Sequence, residues 1–263
     1  MCVGRFVKTL IEINSSGAEF GILQSISSYR SGETVAKILN MNHHDRLVLQ
    51  NTNLLAGLNP QLVSRILGNT TIFSAESRDG LFNEGEKADS FYVVLSGYVR
   101  LFRKSKDERE ADIGIFGPGE AFGECMMFSE YNHAFSAQSA GPATFARFPL
   151  DKMRMIVQDE PEFAIAIFRI MARHLIDARE NVAEDRLHTA PQRVANYLLK
   201  LALAHGVGQP VAFRLPFQKS LLAGKLGLAP EALSRALSAL KKAGIRMRGR
   251  MIEVTDIDAL KNV

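Results

Sequence analysis

A stretch of 28 residues without an internal helix breaker constrains this chain more than any other feature. Between Pro161 and His188 there is no glycine and no second proline, so we predict one continuous helix. Its apolar side chains recur at alternating steps of four and three residues: Ala164, Phe168, Met171, Leu175, Ala178 and Val182. A period of about 3.5 residues is typical of a coiled-coil seam. We predict a homodimer through the last five of these side chains. The alternative is an amphipathic helix packed on its own domain.

Short strands are predicted before this helix, over residues 70–149. The segment DSFYVVLSGYVRLFRK contains two apolar runs separated at Ser96-Gly97, which indicates a hairpin. The segment IGIFGPGEAFGE is rich in glycine, which indicates tight turns. Many short strands with frequent turns favour a barrel or a sandwich. A helical pattern over residues 47–67 precedes the strands. Residues 1–46 show weak patterning, and we expect a loose N-terminal extension there.

The last third of the chain is basic. From residue 190 to the end there are 12 lysines or arginines and four acids, so this third carries a formal charge of +8. The whole chain carries +4, which leaves −4 for the remainder. A basic domain on an acidic body is typical of a protein that binds nucleic acid. The alternative is a solvated basic surface.

Two short helices in this basic third are separated by a sharp turn. The segment LPFQKSLLAGKLGLAPEALSRALSALKKAG predicts two helices joined at Leu226-Gly227-Leu228, where glycine supplies the positive φ of the turn. This arrangement is a helix-turn-helix. The segment IRMRGRMIEV then predicts a basic hairpin, which would form a wing. One face of the second helix carries leucines that can be buried. The opposite face carries a polar stripe: Glu231, Ser234, Arg235 and Ser238.

Three motifs, in this order, resemble the Crp/Fnr family of bacterial transcription regulators: FNEGEKADSFYVVLSGYVRLF, GPGEAFGE and LAGKLGLAPEALSRALSALKKAG. The resemblance covers about residues 47–263. It implies an α+β architecture with a β-roll sensor domain over 47–160, a dimerisation helix over 161–188 and a winged helix-turn-helix over 189–263. It also implies a homodimer that couples an effector signal in the β-roll to a palindromic operator similar to TTGAT-N4-ATCAA. The implied partners are double-stranded DNA and RNA polymerase.

The recognition helix of this family often carries Glu-x-x-Ser-Arg, which is present here as Glu231, Ser234 and Arg235. A glutamate can accept a hydrogen bond from cytosine N4, and an arginine can pair with guanine O6 and N7. The resemblance therefore implies a set of DNA-binding side chains on and around the two helices: Glu231, Ser234, Arg235, Ser238, Lys219, Ser220 and Lys241.

The resemblance also implies an effector pocket at the glycine-rich turn. Its candidate residues are Phe122, Gly123, Glu124, Cys125, Met126, Phe135 and Ser136. Relatives that bind cyclic AMP hold its phosphate with a Gly-Glu turn and a downstream Arg-Ser or Arg-Thr. Here Phe135-Ser136 stand at the Arg-Ser position, and no lysine or arginine occurs between Glu124 and Arg147. A cyclic phosphate would lack a charge-assisted partner, so we predict that cyclic AMP is not the effector.

Other cofactors are constrained by the ligands that the chain offers. Two cysteines, Cys2 and Cys125, are too few for an iron–sulfur sensor. A haem needs one or two axial ligands, and the candidates are His133, His174 and His188, each of which is otherwise an ordinary packed or exposed histidine. The Glu-x-x-Ser-Arg helix, the missing cysteines and the apolar pocket residues resemble the nitric-oxide-responsive, Dnr/NnrR-like branch of the family. That branch implies haem and nitric oxide as candidate effectors.

Two other classes of function stay open. One is a cyclic-nucleotide-responsive regulator, or a regulatory binding module whose helix-turn-helix is only a scaffold; the basic last third disfavours the scaffold. The other is an enzyme with Cys125 as nucleophile and His133 as its base. A reactive cysteine needs a base or a positive neighbourhood; His133 is the only nearby candidate base in the sequence, and a free cysteine is more often a small core residue, so we predict no enzyme. No apolar run reaches the ~18 residues of a membrane span, and we expect a cytoplasmic protein that does not bind membranes.

Overall fold

The computed structural model describes residues 28–31, 34–129, 132–205 and 210–263. The N-terminal part contains strands and short helices in this order: β1 (Ser28–Ser31), β2 (Thr34–Leu39), α1 (His43–Gln50), α2 (Pro60–Leu67), β3 (Thr71–Ala75), β4 (Gly80–Phe82), β5 (Ser90–Ser96), β6 (Val99–Lys104), β7 (Glu110–Phe116), β8 (Ala121–Phe122), a 3₁₀ turn (Glu124–Phe128), β9 (Ser136–Ser139), β10 (Ala143–Pro149) and α3 (Leu150–Asp159). The C-terminal part contains α4 (Pro161–Leu187), α5 (Ala190–His205), β11 (Val211–Arg214), α6 (Lys219–Lys225), α7 (Pro230–Ala239), a second 3₁₀ turn (Leu240–Ala243), β12 (Ile245–Arg248), β13 (Met251–Val254) and α8 (Ile257–Lys261).

Two antiparallel sheets form a β-roll in the N-terminal part. One sheet has the strand order β1-β2-β3-β10-β5-β8, and the other has the order β4-β9-β6-β7. Alternate residues of β5 and β10 point to opposite faces of the first sheet. Tyr92 and Phe145 therefore lie inside the roll, while Phe91 and Phe148 stack at 4.8 Å in a core shared with α1 to α4. The β-rich sensor domain and the mixed α+β class are as predicted from the sequence.

The N-terminal hairpin differs from the loose extension expected for residues 1–46. Within the described part of that segment, β1 pairs with β2, and β2 pairs with β3 at the edge of the first sheet. Ile38 lies opposite Phe73, and Leu39 lies opposite Ile72. The apolar run of β2 is short and is flanked by serine and glycine in the sequence, so a periodicity argument missed it. The first sheet therefore extends well before residue 47.

The long helix α4 buries one face and exposes the predicted seam. Its inner face packs Phe163, Ala166, Ile167 and Ile170 against the sensor domain. The seam residues Phe168, Leu175 and Val182 are 52%, 54% and 49% exposed in the single chain. Ala178 is also exposed, and Met171 is half-buried. The alternative in which this seam packs on its own domain therefore does not hold for most of its residues.

The C-terminal part is a winged helix-turn-helix. Its sheet has the strand order β11-β13-β12, and its apolar core gathers side chains from α5, α6, α7 and α8. Ala223 of α6 is 2% exposed, and its small side chain allows α7 to pack close by. Gly227 lies in the turn with a φ of +57°, as the turn requires.

The β6–β7 hairpin of the sensor domain contacts the helix-turn-helix. The ring of Tyr98 meets that of Phe217 edge-on at 5.2 Å. The Asp112 carboxylate accepts a hydrogen bond from Arg100 Nε at 2.7 Å and lies where a Cβ on Gly224 would collide with it. The Asp112 side chain therefore packs directly against Gly224 of α6 and would have to shift if this residue carried a side chain. Among the described helices, none is both long and apolar enough to cross a membrane.

Candidate DNA-binding surface and sensor segment

The polar stripe predicted on the second helix of the turn is solvent-facing. Helix α7 begins with Pro230 in its first turn, where a missing N–H costs nothing. Its inner face buries Leu233, Ala236 and Leu237. The side chains of its outer face are all exposed: Glu231, Ser234, Arg235 and Ser238. The hydroxyl of Ser238 donates to the Ser234 carbonyl at 3.0 Å, so its proton is already used within the helix.

The remaining predicted DNA-binding residues flank this stripe. Lys219 and Ser220 are exposed at the start of α6, and Lys241 is exposed in the turn after α7. In the described part of the chain, no ion pair engages Arg235, Lys219 or Lys241. Unpaired cations on one exposed surface attract a polyanion, because each can neutralise a phosphate without first breaking an internal pair.

The wing contributes two exposed arginines and one that is engaged in the fold. The β12–β13 hairpin turns at Gly249 with a φ of +60°. Arg246 and Arg248 are exposed. Arg250 instead donates from Nε to the Leu215 carbonyl at 2.9 Å and from Nη2 to the Pro216 carbonyl at 2.7 Å. Arg250 therefore ties the wing to the loop after β11, a role that its place in a basic run does not reveal.

The residues predicted for the effector pocket lie in several different surroundings. Phe122 is buried inside the roll, and Met126 packs into the core beneath α3 and α4. Cys125 is exposed, and Phe135 is half-buried. Ser136 is buried, and its hydroxyl accepts a hydrogen bond from the Glu84 backbone N–H at 3.0 Å. The structure thus distributes these side chains over several surroundings.

Aromatic side chains fill the interior of the roll. The rings of Phe82 and Tyr92 stack at 5.9 Å, and those of Tyr92 and Phe122 stack at 5.3 Å. His133 lies face to face with Phe82 at a centroid distance of 3.7 Å. These rings pack against one another inside the roll, and of the residues predicted for the pocket Phe122 belongs to this cluster.

Glu124 joins the sensor segment, defined here as the 3₁₀ turn Glu124–Phe128, to the long helix. Its side chain is 5% exposed, and its Oε1 lies 2.8 Å from His174 Nδ1 on α4. Burial lowers the pKa of His174, but the hydrogen bond and charge of Glu124, with the charges of Glu120 and Asp177, outweigh burial and raise that pKa above its ordinary value of 6.5. The Glu124 carboxylate therefore stabilises the charged form of His174.

Two further contacts hold the sensor segment in place. Arg154 of α3 donates to the backbone carbonyls of Met126 at 2.7 Å, Met127 at 2.9 Å and Ser129 at 2.9 Å. One guanidinium thus satisfies the carbonyl groups at the end of the turn. On the other side, the Phe128 ring stacks on that of Phe168 at 4.4 Å. Since Phe168 belongs to the exposed seam of α4, the sensor segment touches the predicted dimer interface.

The three histidines considered for haem lie in separate surroundings. His133 is buried in the aromatic cluster, and burial lowers its pKa more than the nearby Asp89 and Glu86 carboxylates raise it. His174 is paired with Glu124, and Nδ1 of His188 lies 2.9 Å from the Glu184 carboxylate. No group of three or more His, Cys, Asp or Glu side chains that could hold a metal ion occurs among the described residues. Each of these histidines is engaged with a neighbouring ring or carboxylate and the three lie apart, so in this arrangement they do not fit a haem site.

The surroundings of Cys125 do not suit a nucleophile. Desolvation raises the pKa of its thiol, and the Glu124 carboxylate adds to this. Both effects favour the protonated thiol, whereas a reactive cysteine is a thiolate.

Two sequence profiles match the chain. A cyclic nucleotide-binding domain matches residues 73–160, and a Crp-like helix-turn-helix domain matches residues 192–263. The chain is 27% identical over 216 residues to a CRP-like cAMP-activated global transcriptional regulator of Mycobacterium tuberculosis, covering 81% of this chain and 96% of the relative. It is 30% identical over 182 residues to the nitrogen fixation regulation protein FixK of Bradyrhizobium diazoefficiens, covering 68% of this chain and 74% of that protein.

A solved structure shares this architecture over most of the chain. FixK2 from Bradyrhizobium japonicum superposes with a TM-score of 0.63 at 25% identity, covering 73% of this chain and 96% of that one. These relatives are regulators by name, and the enzyme alternative is excluded with them.

Proposed function

Because the chain belongs to the Crp/Fnr family of transcription regulators, we propose that it binds an inverted-repeat operator as a homodimer and that a signal in its β-roll controls this binding. The protein acts in the cytoplasm, with double-stranded DNA and RNA polymerase as partners. The observation that carries the proposal is the exposed stripe of α7, which presents Glu231, Ser234 and Arg235 from a domain of charge +8. A helix of this shape enters the major groove, and these side-chain types read base edges there.

The exposed seam of α4 supports dimerisation. Phe168, Leu175 and Val182 expose about half of their surface along one side of the helix. A parallel pair of such helices buries this side against itself around a two-fold axis. The two recognition helices are then related by the same axis, and they require half-sites in inverted orientation about one helical turn apart.

The signal acts through the sensor segment. This segment contacts α4 twice, through the Glu124–His174 pair and through the stack of Phe128 on Phe168. A ligand that moves Glu124 must break or replace its bond to His174, and this changes the surroundings of the seam. We identify no haem or nitric oxide chemistry with this segment because the candidate histidines do not fit a haem site.

Cyclic AMP is not the effector in this proposal. Three observations support that statement: no cation lies between Glu124 and Arg147 in the sequence, the roll is packed with aromatic rings, and Glu124 is already paired with His174. The second candidate function is a cyclic-nucleotide-responsive regulator. It is favoured by the match to a cyclic nucleotide-binding domain and by the cAMP-activated relative of M. tuberculosis.

Binding to an operator is tested directly by fluorescence anisotropy with labelled duplexes. We expect the protein to bind TTGAT-N4-ATCAA at least about a thousandfold more tightly than a scrambled duplex at the same salt concentration, as sequence-specific proteins do. A duplex with one half-site scrambled should bind with intermediate affinity, because only one recognition helix finds its site. Equal affinity for all three duplexes would show that the basic surface is not a reader of sequence.

The effector prediction is tested by isothermal titration calorimetry with cyclic AMP at micromolar protein. We expect no stoichiometric heat, because no lysine or arginine occurs between Glu124 and Arg147 to pair with the cyclic phosphate. The cAMP-activated relative from M. tuberculosis, measured in the same buffer, is the positive control. A one-to-one heat with micromolar or tighter affinity would replace the proposal with the second candidate function.

A further inference from the structure

One arginine connects the end of the long helix to the turn of the helix-turn-helix. Arg193 lies in the first turns of α5, and its side chain is 12% exposed. Its Nη2 contacts the Asp185 carboxylate in the last turns of α4 and also donates to the backbone carbonyl of Leu226, the residue that ends α6. The guanidinium of Arg193, which belongs to α5, therefore links this helix to α4 through Asp185 and to the turn before the recognition helix α7 through Leu226.

The turn is shaped to admit this arginine. A Cβ built on Gly227 would lie 3.1 Å from Arg193 Nη2 and 3.8 Å from Asp185 Oδ2. Glycine at this position therefore serves two purposes, since the backbone has a φ of +57° and the Arg193–Asp185 pair fills the space where a side chain would be. Both contacts are made by the one nitrogen Nη2, which carries two N–H donors and can serve the carboxylate and the carbonyl together.

The α4–α5 junction is closed by further polar contacts around the same point. The Glu184 carboxylate lies 2.9 Å from His188 Nδ1 and 3.4 Å from Asn196 Nδ2. The Gln192 side chain accepts from the Thr189 backbone N–H at 2.9 Å. These contacts fix how α5 leaves α4, while Arg193 fixes how the helix-turn-helix turn sits against both.

In a dimer this junction determines the distance between the two recognition helices. Each copy of α7 follows its own junction, so a small rotation there moves the two helices apart or together. Moving a half-site by one base pair changes its position by about 3.4 Å and its direction by roughly 34°, since a turn of DNA has about 10.5 base pairs. A rigid junction therefore allows one spacer length, and a loose junction allows several.

We propose that Arg193, held by Asp185, is the positioning residue that sets which spacer length between operator half-sites this regulator accepts. The proposal rests on the proposed function, because it concerns the geometry of a DNA-bound dimer. It assigns no base contact to Arg193, which is buried behind the turn. Its expected signature is a change in spacing preference rather than a change in base preference.

The test uses operators with identical half-sites and spacers of three, four, five and six base pairs. We expect the wild-type dimer to prefer one spacer by about tenfold or more over its neighbours, because the others demand a different junction angle. Arg193→Ala should reduce that preference to about threefold or less, and Asp185→Asn should act in the same direction while leaving α5 unchanged. Arg186→Ala is the matched control: it removes an exposed arginine next to Asp185 and should keep the wild-type preference.

Each outcome has a definite meaning. If Arg193→Ala and Asp185→Asn weaken binding equally at every spacer and keep the wild-type preference, Arg193 is only a stabilising residue and the proposal is overturned. If Arg193→Ala fails to fold, Asp185→Asn alone decides by the same criterion. If the wild-type protein binds none of the operators, it is the proposed function that fails, before any variant is compared.

Discussion

Replacing both Met171 and Leu175 with glutamate will leave this protein monomeric and will abolish high-affinity operator binding. The two positions follow one another along the seam of α4, where Leu175 is 54% exposed in the single chain. In a parallel dimer each would face its own copy across the two-fold axis, so four carboxylates would be buried together without partners. Burying unpaired charge costs several kcal/mol, roughly 3–5 for one such site. The dimer dissociation constant should then rise at least about a thousandfold.

The measurement is sedimentation equilibrium at micromolar concentration, followed by the operator titration. Circular dichroism checks that the variant stays folded, which is expected because α4 buries its opposite face through Phe163, Ile167 and Ile170. The matched control is Ile176→Glu with Ala183→Glu, which adds two glutamates to exposed positions of α4 outside the seam. If the seam variant still sediments as a dimer, the subunits meet on another surface and the heptad interpretation is wrong.

The long helix and the helix-turn-helix could be predicted because each is encoded by neighbouring residues. A period of about 3.5 residues needs only one segment of sequence to be recognised, and the turn at Gly227 needs only a glycine between two apolar stripes. The exposed stripe of α7 followed from spacing in the same way. These features are local, so side-chain periodicity is enough to identify them, and the exposure of the seam in the single chain is what the pattern predicts for an unpaired interface.

The side-chain packing of the sensor domain could not be predicted from the sequence, because it depends on contacts between residues that are far apart in the chain. Glu124 and His174 are 50 residues apart, and nothing in either segment signals the other. The same holds for the stack of Phe82 on His133 and for the packing of Phe128 on Phe168. Apolar composition can be recognised in a sequence, but whether such side chains surround a cavity or fill it is a matter of three-dimensional packing.

The roles of the arginines also depend on contacts that the sequence does not reveal. Arg235 and Arg250 both lie in basic stretches of the last third, yet Arg235 is exposed and Arg250 donates to the Leu215 and Pro216 carbonyls. Arg193 was counted only as one of twelve positive charges, while in the fold it bonds Asp185 and Leu226. Charge counting identified the DNA-binding domain, but it could not separate arginines available to DNA from those that hold the domain together.

Replacing Arg235 with alanine will remove base discrimination at one G·C pair in each half of the operator. Arg235 is exposed on the stripe of α7, one helical turn after Glu231. A bidentate bond from arginine to guanine O6 and N7 contributes about 1–3 kcal/mol of discrimination, so the two half-sites together lose about 2–6 kcal/mol. The affinity for the palindrome should fall by roughly a factor of 30 or more. Single-base variants at the G·C position, in contrast, should lose little further affinity.

The comparison that decides the role of Arg235 is with Lys241→Ala, which also removes one exposed cation from the same domain. If Lys241 contacts a phosphate, its loss weakens binding to every duplex by a similar factor and reduces the salt slope by about one unit per contact. Arg235→Ala should instead reduce the difference in affinity between the palindrome and its G·C variants. Its effect on the salt slope should be smaller than that of losing a phosphate contact. The measurement is a titration of the wild type and both variants against the palindrome and its G·C variants at two salt concentrations.

If Arg235→Ala behaves like Lys241→Ala and keeps the G·C preference, Arg235 binds the phosphate backbone. Sequence recognition must then come from other side chains of the stripe, Glu231 first among them, because its carboxylate can accept from the cytosine of the same pair.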